Sequence, residues 1–355
     1  MKLLHVITTI ERGGAENQLL ILVKRQIQRG HEVTITFLKG SADLKHDFDL
    51  IGASTIDLSK LSFFQQIIFF RNKLASQFDI LHAHLPRSEI LTYLGVVKSN
   101  RNFIITRHNS EKFFPKAPKL ISSFLSRIVT HRAFKIISIS NAVFDFCISN
   151  QEIENDSKCI TIHYGFDFEV TVKRNFSNQL HLLFVGRLED QKDIPTLLKA
   201  LKEISHEKIF SQISILGNGS LRKDLQSLAE QYEIDKSIRW LGKIPNVDEY
   251  MQSCDLLVLT SKYEGFGLVL LEAISQNLPV LATNTTSIPE VLGSDYLGLF
   301  PVGNFLLLAE LFRKFKNDSF YREQLINQLY FRKEFFSSTK MESSVNNVYI
   351  NLIKS

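Results

Sequence analysis

The stretch Leu256-Leu-Val-Leu-Thr-Ser261-Lys-Tyr-Glu264-Gly265-Phe266-Gly267-Leu268-Val269-Leu-Leu-Glu272-Ala-Ile-Ser-Gln-Asn-Leu-Pro279-Val-Leu-Ala-Thr283 reads as strand, loop, helix and strand. Short apolar runs at 256–259 and 279–282 flank an amphipathic segment, the repeating unit of a parallel sheet covered by helices. In such sheets ligands bind at the carboxyl ends of strands, so the loop at 260–267 is the first place to look for function. Gly265 and Gly267 permit a tight turn, and the amides from Gly267 to Val269 open a helix N-terminus that suits an anion. Glu264 stands at its mouth, able to accept hydrogen bonds from hydroxyls. Glu272 lies roughly one and a half turns inside the helix among apolar neighbours. A carboxylate there needs a partner, because burying it unpaired costs on the order of several kcal/mol. The cis-diol of a ribose would be a suitable one.

The same alternation extends in both directions. Strands are expected at 2–7, 33–38, 54–58, 79–82, 103–106, 135–139 and 159–163, and again at 182–185, 212–216 and 238–241. A helix at 15–29 follows Gly13-Gly14 and stops at Gly30. The periodicity lapses around 164–179, which gives an N-terminal domain at 1–165, a linker at 166–180 and a second α/β domain at 181–330. The tail is helical, and 331–355 either caps the second domain or crosses back to the first.

At 355 residues, 44% hydrophobic and 22% charged, the chain has the composition of an ordinary two-domain globular protein. Three widely spaced cysteines, Cys147, Cys159 and Cys254, suggest neither a disulfide frame nor a zinc site and fit a reducing cytoplasm. The first strand, interrupted by His5, is too short for a signal peptide, and no run approaches the ~20 apolar residues that span a bilayer. The net charge of +5 is uneven: the segment that opens at Lys112 and closes at Phe144 has six Lys or Arg and no acid. It is either a solvated helix surface packed by its Phe and Ile residues or a contact for an anionic membrane surface or lipid-linked phosphate. No nucleic-acid motif accompanies it. Asp47-Phe-Asp49 is a formal D-x-D in a polar loop and is not expected to bind metal.

Three further strand-to-helix loops carry candidate residues. Gly13-Gly14 precedes the first long helix but lacks the spacing of a dinucleotide site. Gly186-Arg187 and Lys192 follow the 182–185 strand, where two cations could grip a diphosphate or could simply be solvated. Gly217-Asn-Gly219 opens another helix, either as a phosphate cradle or as a plain turn.

Taken in order, Gly-Gly-Ala-Glu at 13–16, Asp79-Ile-Leu-His-Ala-His84, Ser138-Ile-Ser140, Val185-Gly-Arg-Leu-x3-Lys192, Gly217-Asn-Gly219, Glu264-x7-Glu272 and Ile288-Pro-Glu290 resemble family 4 of the retaining glycosyltransferases. The resemblance runs nearly end to end. It implies the GT-B fold: α/β, two Rossmann-like domains with parallel sheets facing across a cleft and a C-terminal helix crossing back to the first. It implies transfer of a sugar, with retention, from a UDP- or GDP-sugar to a glycan or lipid-linked acceptor, with no metal or other cofactor.

By position, Glu264 would bind the sugar, Glu272 the ribose, and Arg187 with Lys192 the diphosphate. Gly13, Gly14, Gly186, Gly217, Gly219, Gly265, Phe266, Gly267, Leu268 and Val269 would line the donor, with Ile244 near the base. His84 would be the active-site histidine, His82 a strand-end residue, and Arg107 with His108 would lie on the acceptor side. Two departures stand out. Tyr164-Gly-Phe-Asp167 replaces an Asn-Gly-hydrophobic-Asp pattern, and Thr285-Thr-Ser287 replaces a glycine-rich stretch. The expected enzyme is cytoplasmic, peripheral on the inner face of a membrane, and works in polysaccharide or lipid-linked glycan synthesis. A nucleotide-sugar epimerase and a non-catalytic sugar-binding subunit are the rivals.

Overall fold

The computed structural model describes the chain except residues 100, 116, 155, 169–173, 175, 177–179 and 245. Much of the expected 166–180 linker therefore lies outside the described residues. The chain divides into two compact units, Met1–Asp167 with Phe336–Ser355, and Phe168–Phe335.

In the first unit, strands β1 (Lys2–Ile7), β2 (Glu32–Phe37), β3 (Ser54–Asp57), β4 (Ile80–His84), β5 (Ile104–Arg107), β6 (Lys135–Ser138) and β7 (Cys159–Thr161) form one sheet. Its order is β3-β2-β1-β4-β5-β6-β7 and every pair is parallel. Helices α1 (Gly14–Gln28), α2 (Lys45–Leu50), α3 (Phe63–Phe69), α4 (Pro86–Val96), α5 (Lys119–Arg132) and α6 (Asn141–Ser149) fill the crossovers. Such strands are covered on both faces, which is why β1 reads as an almost continuous apolar run with five buried residues.

The second unit repeats the plan. Strands β8 (Leu180–Val185), β9 (Phe210–Leu216), β10 (Ile238–Gly242), β11 (Leu256–Leu259), β12 (Val280–Thr283) and β13 (Leu299–Phe300) lie in the order β10-β9-β8-β11-β12-β13, again parallel. Helices α7 (Ile194–Glu203), α8 (Arg222–Gln231), α9 (Val247–Ser253), α10 (Leu268–Ser275), α11 (Ile288–Leu292), α12 (Phe305–Asn317) and α13 (Ser319–Arg332) accompany them.

The last helix, α14 (Ser338–Lys354), belongs to the first unit. Ser337 caps it by accepting from the Lys340 amide. Met341, Val345, Val348 and Tyr349 enter the core made by Leu3, Leu22, Val33 and Ile35. Each Met or Val so buried stabilises the packing by roughly 1.5–3 kcal/mol. At the rim, Arg29 Nε donates to both oxygens of Glu342, at 2.7 and 2.8 Å. The tail is thus a structural part of the first core.

Three local expectations are corrected. Asp47 and Asp49 lie in α2, not in a loop, and pair with Arg12 and Lys45 at 3.0 and 2.6 Å. Strand β4 runs on to His84, so His82 is central in it and not at its end. Helix α5 is not packed by its Phe and Ile residues. It buries Ser122, Ser123, Ser126, Val129 and Thr130, while Leu120, Ile121 and Phe124 are 82%, 53% and 63% exposed.

The buried serines have polar partners: Ser122 accepts from the Phe114 amide at 2.9 Å, Ser123 donates to the Asn150 carbonyl at 2.7 Å, and Ser126 lies on a buried ion group beneath α5. Arg107 lies 2.9 Å from Glu89 and 3.1 Å from Glu152. Ser126 accepts from Arg107 and donates to the Glu152 carbonyl, both at 2.9 Å. The Ser126 hydroxyl gives one Arg107 N–H and the Glu152 carbonyl a partner that an apolar side chain could not supply, although both Glu89 oxygens and Arg107 Nε have no hydrogen bond among the described residues. Among the described residues, no helix is long and apolar enough to cross a membrane.

Candidate functional site

In the second unit two loops meet at the carboxyl ends of β8 and β11. The 186–193 loop and the 260–267 loop are joined by Lys262 N–H donating to Gln191 O at 2.8 Å and Gln191 Nε2 donating to Tyr263 O at 2.9 Å. The Thr260 hydroxyl donates to Lys192 O at 2.8 Å. These bonds bring Lys192 and Glu264, 72 residues apart, to 2.5 Å with both side chains largely buried. The Ser261 hydroxyl donates to the same Glu264 oxygen at 2.5 Å.

The stretch that lacks the expected glycines explains how Glu264 is held. Thr286 Oγ1 accepts from the Glu264 amide at 2.8 Å, Ser287 donates to the Glu264 carbonyl at 3.1 Å, and Thr285 donates to Lys262 O at 3.0 Å. Hydroxyls at 285–287 therefore brace the 262–264 backbone. Thr286 adopts φ 45°, a left-handed conformation unusual for a β-branched residue.

Gly267, at φ 81°, is the N-cap of α10 and has no side-chain cap. The helix thus presents the amides of Leu268 and Val269 at its open end, beside Phe266, which is buried, and Gly265. Inside α10, burial pushes the Glu272 carboxyl up to about 7, with Asp248 adding repulsion. Arg187 is exposed and donates to Gln191 Oε1 at 3.0 Å, leaving its charge on the surface. Lys192 is not a second free cation, because its charge is balanced by Glu264.

Gly217 and Gly219 have a packing reason. A Cβ on Gly217, at φ 128°, would stand 1.8 Å from the Gly186 carbonyl oxygen, and one on Gly219 would stand 2.2 Å from that of Leu188. They let the β9 loop press against the Gly186 loop. Ile244 follows β10 and is partly buried.

In the first unit, Gly13 caps α1 and Gly14 begins it. A Cβ on Gly13 would meet Glu16 Oε2 at 2.5 Å, and Glu16 is itself held by the Thr9 hydroxyl at 2.7 Å. His84 is 2% exposed, with Nε2 2.9 Å from His5 Nδ1 and Nδ1 3.1 Å from His108 Nε2. Tyr164, the residue that departs from the family pattern, places its hydroxyl 2.5 Å from His108 Nδ1.

His5 Nε2 faces Gln26 Oε1 at 2.9 Å, and His82 bridges Tyr349 and Thr106, each at 2.7 Å. Burial holds His5 down at about 4 and His108 at about 3, with His82 and His84 also well below their ordinary value. One ring nitrogen each of His5, His82 and His84 lies within 4.8 Å of the others, a spacing that would suit a metal ion. Every nitrogen of these rings already faces a protein partner. A cavity of about 30 Å³ adjoins His84, His108, Tyr164 and Gln18, whose buried Oε1 has no hydrogen-bond partner.

Arg107 is buried in the ion group with Glu89 and Glu152, where burial pushes Glu89 up to about 7 in spite of the guanidinium. Glu152 also accepts from the Phe113 amide at 2.8 Å. This ties the start of the basic segment to the end of β5. His5, Gln26, Glu89, Glu152 and Tyr349 escaped sequence reasoning. Only His5 left a trace, as a polar residue in an apolar strand; the others sit on helices and a loop, and their partners are remote in sequence.

A family model described as Glycosyltransferase Family 4 matches residues 12–170, and one described as Glycosyl transferases group 1 matches residues 167–330. The chain is 24% identical to the capsular polysaccharide biosynthesis glycosyltransferase CapH of Staphylococcus aureus, over 82% of this chain and 83% of that protein. It is also 24% identical to an alpha-1,4-N-acetyl-D-galactosaminyltransferase of Campylobacter jejuni whose name carries a PP-undecaprenol-linked glycan, over 92% of each chain. Among solved structures, Anabaena HepE in complex with UDP shares the fold with a TM-score of 0.83 and 17% identity, over 99% of this chain and 100% of that one.

Proposed function

This chain belongs to family 4 of the glycosyltransferases and has their GT-B fold, and from that premise we propose that it moves a sugar, with retention, from a UDP- or GDP-sugar to a glycan or lipid-linked hydroxyl. The observation that carries the reading is the node of Lys192, Ser261 and Glu264 beside the open N-terminus of α10. It supplies a positioned carboxylate for sugar hydroxyls and amides for an anion. Arg187 neutralises charge on the departing diphosphate, so no divalent metal is required. Glu272 accepts the ribose diol.

The relatives support a place in cell-surface polysaccharide or lipid-linked glycan synthesis: CapH is named for capsular polysaccharide, and the Campylobacter enzyme for an undecaprenol-linked glycan. The first unit takes the acceptor, and the chain works at the cytoplasmic face of the membrane. The outward apolar residues of α5, Leu120, Ile121 and Phe124, flanked by Lys119 and Arg127, support peripheral contact with anionic lipid. Flotation with vesicles that contain anionic lipid checks this, and equal flotation with neutral vesicles counts against it.

The reaction is tested by a thermal-shift screen of nucleotide sugars followed by transfer assays. Arg187→Ala should keep the fold and lower transfer by about 10²–10³. Release of an altered sugar from donor alone would instead identify an epimerase. Donor binding without turnover for any acceptor would identify a binding subunit.

A further inference from the structure

The buried histidines of the first unit form a single chain of hydrogen bonds, and their donor and acceptor roles follow from one amide. Gln26 Oε1 can only accept, so His5 Nε2 donates to it across 2.9 Å. A neutral ring has one N–H, so His5 Nδ1 must accept from His84 Nε2. His84 Nδ1 then accepts from His108 Nε2, and His108 Nδ1 accepts from the Tyr164 hydroxyl.

On the other side, Gln26 Nε2 donates to Tyr349 at 3.2 Å. The Tyr349 proton is left for His82 Nδ1, and His82 Nε2 donates to Thr106. The bonds run in one direction from Tyr164 to Thr106, and all four rings are Nε2–H. Turning the Gln26 amide over would reverse every bond and make all four Nδ1–H.

We propose that Gln26, with Oε1 towards His5 and Nε2 towards Tyr349, is a positioning residue that sets one common hydrogen-bond direction, and so the Nε2–H tautomer, through His5, His84, His108 and His82. The consequence for the site is rigidity: His84 and His108, at the carboxyl ends of β4 and β5, have their rings oriented from a helix residue on α1. A second proton on His5 or His84 would set N–H against N–H, one on His108 or His82 would meet a tyrosine O–H, and burial keeps these rings neutral. The inference rests on the acceptor-side reading of the first unit only for its functional meaning; the tautomers themselves are independent of it.

The test is nitrogen NMR of the histidine rings in the full-length protein, with assignments from single His→Gln variants. The wild type should show His5, His82, His84 and His108 all as Nε2–H; any mixture, or four Nδ1–H rings, overturns the proposal. Because an isolated neutral imidazole also favours Nε2–H, the decisive arm splits the chain. In Gln26→Glu the carboxylate accepts from both His5 and Tyr349. His82 alone should then switch to Nδ1–H, donating to Tyr349 and accepting from Thr106. An unchanged His82, or a switch in His84, overturns the proposal.

Should that variant fail to fold, Gln26→Met removes the polar end and keeps the length. His5, His84 and His108 should then lose their single tautomer together, and persistence of one Nε2–H form in all three overturns the proposal. These readouts need no substrate, so a failure to find any transfer activity sinks the proposed function without touching this inference.

Discussion

The Lys192 ammonium and Glu264 Oε1 stand 2.5 Å apart, so the cation expected to grip a diphosphate is already paired with the acid expected to bind the sugar. Removing one partner of a largely buried pair leaves the other uncompensated, at a cost of about 3 kcal/mol. Lys192→Met should lose that stability in denaturant unfolding of the second unit. Adding Glu264→Gln should recover most of it, while sugar transfer stays low in both. Additive losses in the double variant would show that the pair is not coupled.

Gly217 and Gly219 are expected to be intolerant for reasons of space. Alanine at Gly219 meets the Leu188 carbonyl at 2.2 Å, and at Gly217 it meets both a carbonyl at 1.8 Å and a left-handed φ. Each substitution should destabilise the second unit by roughly 2–4 kcal/mol. Thermal unfolding checks it, and a change below about 0.5 kcal/mol would mean that the Gly186 loop yields freely.

The first unit should be acid-labile. His5, His82, His84 and His108 have folded pKa values below about 6.5, the unfolded value, so between those limits the unfolded chain binds protons that the native chain does not. The stability is present above pH 6.5 and is lost as pH falls towards about 4 for His5, a loss of about 3 kcal/mol for that ring alone. Glu89 and Glu152 act in the opposite sense, since their raised values favour the native state at low pH. Four rings outweigh two carboxyls. Unfolding free energy should therefore drop on acidification through this window, and more steeply in Glu89→Gln.

Glu272 carries a pH signature for donor binding. Its folded carboxyl is raised to about 7, so its own contribution to stability is present below pH 4.5 and is lost as pH rises through about 7. A ribose diol prefers the charged form as acceptor. Calorimetric donor affinity should rise between about pH 6 and pH 8, and Glu272→Gln should flatten the curve. A flat wild-type curve would contradict the ribose assignment.

The alternation of short apolar runs with amphipathic segments was enough to place β1 and β11 to the residue, because strands of a parallel sheet are buried on both faces and announce themselves locally. β13, two residues long, has no such signal. β4 was cut short because His82 and His84 look like strand-end polar residues; their rings are accommodated by His5, Thr106, His108 and Tyr349, which no local pattern reveals. α5 misleads in a similar way, since its serines turn inward, Ser126 to an ion group built from three distant residues and Ser122 and Ser123 to backbone groups of Phe114 and Asn150.

By itself the sequence determined the fold class and the family, because spaced glycines, acids and cations in strand-to-helix loops are local chemistry in a fixed order. It also named Glu264, Lys192 and His84. Only the tertiary structure decided what those residues do to one another: that Lys192 neutralises Glu264, that Thr285 to Ser287 brace the loop between them, and that His84 is locked between His5 and His108. Charge pairing and hydrogen-bond direction depend on which atoms face each other across a few ångströms. Folding brings Gln26 and Tyr349, 323 positions apart, to within 3.2 Å, and no pattern along the chain encodes that meeting.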